Sequence, residues 1–547
     1  MPAVTASARS SSRTPTPHRP QRAQLSTATW AVPASYLVIT IFGMWWIDVR
    51  PGVVVEGFGD IARLMERMVP ATTGPLPPLI ALVFETLWIA LAGTGIATLL
   101  SIPLAAAASR SFTGPRWVQI ISRLVIMLTR AVPSLIFAII FVRIFGLGPL
   151  AGALAIAVHS IGMIGKMMTD SFEELSPQPR EAIQATGATR TQTFIATTLT
   201  RALPQMTSFV LYRLDINIRA SAILGLVGAG GIGVALQTAI GSLNYPRAAG
   251  IIIVIILLLL ALELVSFLSQ RSLAEHADPS ASSQLFVASR SGRDPGWSLQ
   301  RFGRTAAALS AIGLFLFALS TLSIPFDRLQ RSGANAWAML SGFVPPTIST
   351  EVVLGIFESV IMALTATSFG VLIGLVIAIL STNHLVNIPA LSWMLRTFVV
   401  LVRGVPDIIY ALIFVAALGL GPFPGFLALS ISCTALAAKF FTDALQNINP
   451  GPRRALEATG AGRVQAFVSG VWPQFVPSFI ANSLFTSDLA LRESAVLGIV
   501  GAGGVGFLLH ESVTSIQYST TAGILIGLVI VVVALEQVAR WARRKVL

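Results

Sequence analysis

One cysteine, Cys433, stands in 547 residues, so no internal disulfide is available; set in an apolar run, it reads as a small core residue. Charge is scarce as well. Asp, Glu, Lys and Arg make up 11% of the chain, against about 25% in a soluble globular protein. No GxxxxGK[ST] segment occurs, which excludes ATP binding through a P-loop. No His, Asp, Glu or Cys cluster has ligand spacing, which argues against a metal site and against an integral-membrane enzyme. What remains is apolar: 54% of residues are hydrophobic, mean hydropathy is +0.78, and runs such as 251–260 contain nothing but Ile, Val and Leu. This composition specifies an all-α integral membrane protein. The net charge of +13 sits in segments between apolar runs, the mark of a cytoplasmic membrane face, so no nucleic-acid partner is expected.

The chain also contains itself twice. Ala185-Thr186-Gly187-Ala188 recurs as Ala458-Thr459-Gly460-Ala461, an offset of 273 (460 − 187). The same offset pairs Arg130-Ala-Val-Pro133 with Arg403-Gly-Val-Pro406, and Val227-Gly-Ala-Gly-Gly231 with Val500-Gly-Ala-Gly-Gly504. It also pairs Ala261-Leu-Glu263 with Ala534-Leu-Glu536, with no gap from Phe84/Phe357 onward. So long a repeat is a fused dimer, not a solenoid unit.

Apolar spans are predicted near 30–48, 79–108, 117–145, 147–167, 194–222 and 247–268, then 304–324, 352–381, 390–418, 420–440, 467–495 and 520–541. That gives about twelve transmembrane helices as two parallel six-helix repeats. Basic residues mark the N-terminal tail, the 109–123 and 166–201 loops, the linker and the C-terminal end, so both termini are expected inside. The expected domains are a disordered cytoplasmic tail at 1–28, a first six-span domain at 29–268, a cytoplasmic linker at 269–303 and a second six-span domain at 304–547. Arg9, Arg13, Arg19 and Arg22 precede any apolar stretch, unlike a secretory signal.

After the fourth span of each half comes Ser176-Pro-Gln-Pro-Arg-Glu-Ala-Ile-Gln-Ala-Thr-Gly187, matched by Asn449-Pro-Gly-Pro-Arg-Arg-Ala-Leu-Glu-Ala-Thr-Gly460. Ser or Asn can cap, proline is tolerated in the first turn and glycine terminates, so each loop encodes a short helix outside the membrane. Ala182 and Ala185, like Ala455 and Ala458, fall on one face and allow close approach of another surface; an ordinary interfacial helix accounts for the spacing equally well.

Glu181-Ala182, Gly187 and Leu203-Pro204 resemble the "EAA" coupling motif of ABC-importer permeases. Gly146-Leu-Gly-Pro149, Tyr212-Arg-Leu-Asp215 and the run from Arg219 to Gly233 resemble the phosphonate-type branch, over nearly all of both halves. The resemblance implies the MetI-like fold of type I importer permeases in a bacterial inner membrane, importing phosphonate, phosphate or phosphite. It implies partners too: two copies of an ABC ATPase subunit, which would bind ATP and Mg, and an extracytoplasmic substrate-binding protein. This chain would hold no cofactor. The coupling residues carried over are Glu181, Ala182, Ala185 and Gly187, with Arg454, Ala455, Glu457, Ala458 and Gly460. Arg454 departs from the motif glutamate, so the two dockings are expected to differ.

Gly228-Ala-Gly-Gly-Ile-Gly233 and its match Gly501–Gly506 satisfy GxGxxG, but without a strand before them they are read as helix breaks. Ionisable residues recur in spans at Arg130/Arg403, Asp215/Asp488, Arg219/Arg492 and Lys166/Lys439. Lys166 and Lys439 are expected to snorkel. Each Asp–Arg pair stands at i, i+4, which favours internal neutralisation; the sharper alternative is that symmetry brings Arg219 and Arg492 to an axis that an oxyanion crosses. Arg130 and Arg403 precede prolines, where path lining and bonding to freed carbonyls both remain open. An ion-coupled secondary transporter of a small anion is the competing reading; it needs no paired cytoplasmic helices and usually carries an unpaired mid-membrane carboxylate.

Overall fold

The computed structural model describes residues 28–112, 114–275, 299–322, 326–383 and 385–546; the tail up to residue 27 and linker residues 276–298 lie outside them. Every regular element among the described residues is helical. Each half is built on one long apolar pair, Leu76–Ala108 with Pro149–Glu174 and Thr350–Ser381 with Pro422–Gln446. Small residues let these pairs approach closely: a Cβ on Gly93 would lie 2.7 Å from the Ala153 carbonyl oxygen, and one on Gly374 would lie 2.9 Å from Ala437 Cβ. Buried threonine hydroxyls bond back to their own helix, as Thr94 Oγ1 donates to Ala90 O at 2.6 Å and Thr365 Oγ1 to Ile361 O at 2.7 Å.

Among the described residues, seven helices are long and apolar enough to cross a membrane, and up to nine spans result if each bent pair counts as one. The spans expected at 117–145 and 390–418 are those pairs. Arg116–Ala131 meets Ser134–Phe145 at 94°, and Pro389–Gly404 meets Asp407–Leu418 at 80°. Pro133 and Pro406 sit at the breaks, where a missing N–H and the restricted residue before proline end the first helix. Pro33–Trp46 and Thr305–Thr321 are apolar but shorter. Trp472–Gly498 is 27 residues long but carries Asp488, Arg492 and Glu493.

The segment 49–78, read from sequence as a connection, contains the helix Pro51–Arg67; its counterpart in the second half is Phe326–Gly342. Both belong to exchanged arms. Ala28–Trp46 packs on Thr350–Ser381 of the second half, with Trp46 against Phe357 at 5.4 Å and Gly43 so close to Thr365 that no side chain fits. Leu299–Thr321 returns the contact on Leu76–Ala108, with Phe317 on Trp88 at 5.0 Å and Phe315 over Gly95. Pro51–Arg67 lies on Asp407–Leu418, and Phe326–Gly342 lies on Ser134–Phe145, where Asn335 Nδ2 donates to Ile144 O at 3.1 Å. Each half therefore begins with an arm clasping the other.

The glycine-rich breaks have a local cause. Gly228, Gly230 and Gly231 take φ of 83°, 84° and 76°, as do their matches at 90°, 79° and 72°. The turn is anchored by Glu85 Oε1, which accepts from Gly231 N at 3.3 Å, and by Thr86 Oγ1, which accepts from Ile232 N at 2.9 Å. Glu358 and Ser359 repeat this on Gly504 and Val505. The glutamates cap the next helix at its positive end.

Candidate functional site

Two eight-residue helices, Gln178–Ala185 and Gly451–Ala458, occupy matched positions, and neither has a buried residue. Glu181, Ala182, Ala185 and Gly187 are exposed, as are Arg454, Ala455, Glu457, Ala458 and Gly460. Ile183 and Leu456 turn partly inward, fixing which face is presented. Gly187 and Gly460 end them at φ 84° and 87°. The expected capping by Ser176 is corrected: Pro177 and Pro450 hold the N-cap positions without a side-chain bond. Ser176 contacts Gln178 instead, while Asn449 Oδ1 does accept from Gly451 N at 2.9 Å.

These helices are tied to the membrane core. Arg180 donates to Ser111 O at 2.8 Å, and Gln474 Nε2 of Trp472–Gly498 donates to Asn449 O, at the start of the second helix, at 3.3 Å. Each rests on a single π-helical turn, Phe194–Leu199 or Phe467–Val471, which opens the long fifth-span helix of its half. In the first half Phe194 is locked edge-on to Phe112 and Phe172 at 5.5 and 5.3 Å. In the second, Gly470 allows the Arg453 backbone to sit 3.0 Å from where a Cβ would be. A displacement of either exposed helix thus reaches Thr200–Leu224 or Trp472–Gly498 through packed contacts.

Those two helices carry the membrane charges. Arg219 pairs with Asp215 at 3.2 Å, and Arg492 with Asp488 at 2.8 Å. The bends bring in the others across the halves. Arg130 Nη2 donates to Glu536 at 2.5 Å, and Arg403 Nη2 to Glu263 at 3.0 Å, so two ion pairs related by the repeat join first half to second. Symmetry stops there: Arg219 also reaches Glu263, whereas Arg492 keeps a buried Nε with no hydrogen-bond partner among the described residues. Lys166 and Lys439 pair with Asp170 and Asp443 one turn on. A cavity of about 190 Å³ opens beside the first cross-half pair, lined by Arg123, Arg130, Lys166, Glu173, Glu536 and Arg540 among others.

Sequence reading quoted Glu263 and Glu536 only as markers of the repeat. The available signal was a carboxylate at matched positions in an otherwise apolar last span. It passed over Asp407, Glu493 and Arg213 because their matches are Ser134, Ala220 and Thr486. His159, matched by Ser432, has Nδ1 2.9 Å from the Val132 carbonyl at the bend. No group of three or more potential metal ligands occurs among the described residues.

A family profile described as "Binding-protein-dependent transport system inner membrane component" matches residues 97–278 and 370–546, two segments that begin 273 residues apart (370 − 97). The chain is 36% identical over 509 residues to the "Phosphate-import permease protein PhnE" of Mycolicibacterium smegmatis, covering 92% of this chain and 93% of that one. It is 34% identical over 218 residues to the "Phosphite transport system permease protein PtxC" of Stutzerimonas stutzeri, covering 40% of this chain and 79% of that protein. Over 118 residues it is 36% identical to the "Putative cryptic phosphonate transport system permease protein PhnE2" of Escherichia coli, covering 22% of this chain and 94% of that protein.

Proposed function

The chain belongs to the family of binding-protein-dependent transport system inner membrane components, and from that premise we propose that it is the fused permease pair of an ATP-driven importer for a phosphorus oxyanion. It is a transport subunit of a bacterial inner membrane, not an enzyme. Phosphonate, phosphate and phosphite are the substrate class, supported by the relatives whose names carry those anions.

The observation that carries the reading is the pair of exposed helices at Gln178–Ala185 and Gly451–Ala458. An eight-residue helix with no buried residue gains little from this chain, so its form is best accounted for by a partner surface. One ABC ATPase subunit docks at each, two copies in all, and these bind ATP and Mg. Both termini are cytoplasmic, on the same side as the docking helices. The domains run from 29 to 268 and from 304 to 547, with a tail at 1–28 and a linker at 269–303. An extracytoplasmic binding protein delivers substrate to the opposite face.

Closure of the ATPase pair draws the coupling helices together, and the π-turns pass that motion to the fifth-span helices. The cross-half pairs Arg130–Glu536 and Arg403–Glu263 lie at the bends, where the halves must slide for access to alternate. Arg219 and Arg492, each held by an aspartate one turn earlier, chiefly keep their helices neutral. The unpartnered Arg492 Nε is the donor that a passing oxyanion would satisfy.

Reconstitution tests this. Proteoliposomes holding the chain with its ATPase should take up radiolabelled phosphate or phosphonate only when binding protein and ATP are both supplied, and the purified chain alone should hydrolyse no ATP. Uptake by the chain alone on a proton or sodium gradient would replace the importer with a secondary transporter.

A further inference from the structure

The halves diverge most at one place. Behind the second bend lies a cavity of about 120 Å³ whose polar lining is Arg403, Asp407, Ser432, Cys433, Thr486 and Glu493. Subtracting 273 gives Arg130, Ser134, His159, Ser160, Arg213 and Ala220 in the first half. There the bulky Arg213 is only 4% exposed, and its Nε donates to Ser160 Oγ at 3.2 Å. In the second half Thr486 and Ser432 replace Arg213 and His159, which shortens two side chains, and two carboxylates are added. A cation position has become an acidic hollow.

Its hydrogen-bonding capacity is one-sided. Ser432 Oγ gives its proton to Asp407 at 2.7 Å, and Thr486 Oγ1 gives its own to Asn482 O at 2.9 Å. Both hydroxyls are left with lone pairs only. Glu493 has no ion-pair or hydrogen-bond partner for its carboxylate among the described residues, and Asp407 has no cation. The nearby Arg403 is engaged by Glu263 at 3.0 Å. Two carboxylates in a membrane interior are costly without a donor between them.

We propose that this cavity is a ligand site of the second half alone, and that it takes a primary ammonium group: the amine end of an amino-substituted phosphonate on its way across. The proposal rests on the importer reading and narrows its substrate class. An ammonium has three donors and no acceptor, matching Asp407, Glu493 and the Thr486 hydroxyl. The volume is several times the roughly 10–15 Å³ that admits a single water, more than a bare ion fills. A hard metal ion takes about six to eight oxygen ligands, and no cluster of even three metal-ligating residues is present among those described.

The test uses the purified full-length chain in nanodiscs, with aminoethylphosphonate and ethylphosphonate compared by calorimetry or saturation-transfer NMR. Aminoethylphosphonate should bind at least about tenfold more tightly, because a site of unsatisfied acceptors rejects the analogue lacking the donor. Glu493→Gln should remove that preference. If it misfolds, the paired change Asp407→Ser with Glu493→Ala, which installs the first-half residues, should do the same in a monodisperse preparation. Cys433, the sole cysteine, lines the cavity, so its alkylation should be slowed by aminoethylphosphonate and not by ethylphosphonate. Equal affinity for the two phosphonates, binding of neither, or displacement of the amine by sodium ions would each overturn the site. Uptake of aminoethylphosphonate and ethylphosphonate by the complete importer at equal rates would sink the site alone. Absence of all phosphorus uptake would sink the importer reading instead.

Discussion

Arginine at both Ala182 and Ala455 is expected to lower ATP-driven uptake by about 100-fold or more while leaving the thermal stability of the isolated chain unchanged. Both alanines are exposed on helices with no buried residue, so the longer side chain meets nothing within this protein. At a docking surface the same change overpacks the point of closest approach, and a penalty of about 3 kcal/mol at an interface centre corresponds to a loss of that size. The single variants should differ, because Glu181 in the first helix is replaced by Arg454 in the second, where Arg453 also holds Glu457. Uptake and ATPase stimulation in proteoliposomes provide the measurement. Wild-type uptake by the double variant would mean that these helices contact no partner.

Breaking a cross-half ion pair is the second large effect. Arg130→Gln removes the cation bonded to Glu536 and is expected to cost about 2–3 kcal/mol, below the range for a fully buried pair because each side chain keeps 21% of its surface exposed and Arg540 lines the same cavity. The double change Arg130→Gln with Glu536→Gln should recover most of that loss, since no stranded charge remains. Glu263→Gln acts differently. It strands Arg403 but not Arg219, which retains Asp215 at 3.2 Å. Thermal denaturation of the purified chain reads all of these. A double variant no more stable than the single would show that the loss comes from packing and not from charge.

The strict repeat, the apolar runs and the proline after each arginine were enough to foresee an all-helical fused pair with helix breaks at Arg130 and Arg403. The angle of those breaks was not, because a proline marks where a helix ends and not the direction the next one takes; Ser134–Phe145 turns to pack on Pro149–Glu174. Nor was the exchange of arms: Pro51–Arg67 and Phe326–Gly342 are mixed in polarity and read as connections until the half they lie on is known. In the candidate site, matched positions drew attention to Arg130 and Arg403 but concealed their partners. Glu263 and Glu536 come from the last span of each half, and only folding places them beside arginines more than a hundred residues away. The acidic hollow at Asp407 and Glu493 was hidden for the opposite reason. It breaks the repeat, and a comparison tuned to identity passes over residues that only one half has.

The most direct measurement of the account is crosslinking between this chain and its ATPase. With Cys433 replaced by serine, the residue at its match Ser160, a cysteine is placed at Ala182 or Ala455 and another along the rim of the ATPase cleft. Each chain variant should form a covalent adduct with one ATPase subunit, with unequal yields and with rates that change on adding ATP. Failure of both positions to crosslink in an assembled, transport-competent complex would contradict it.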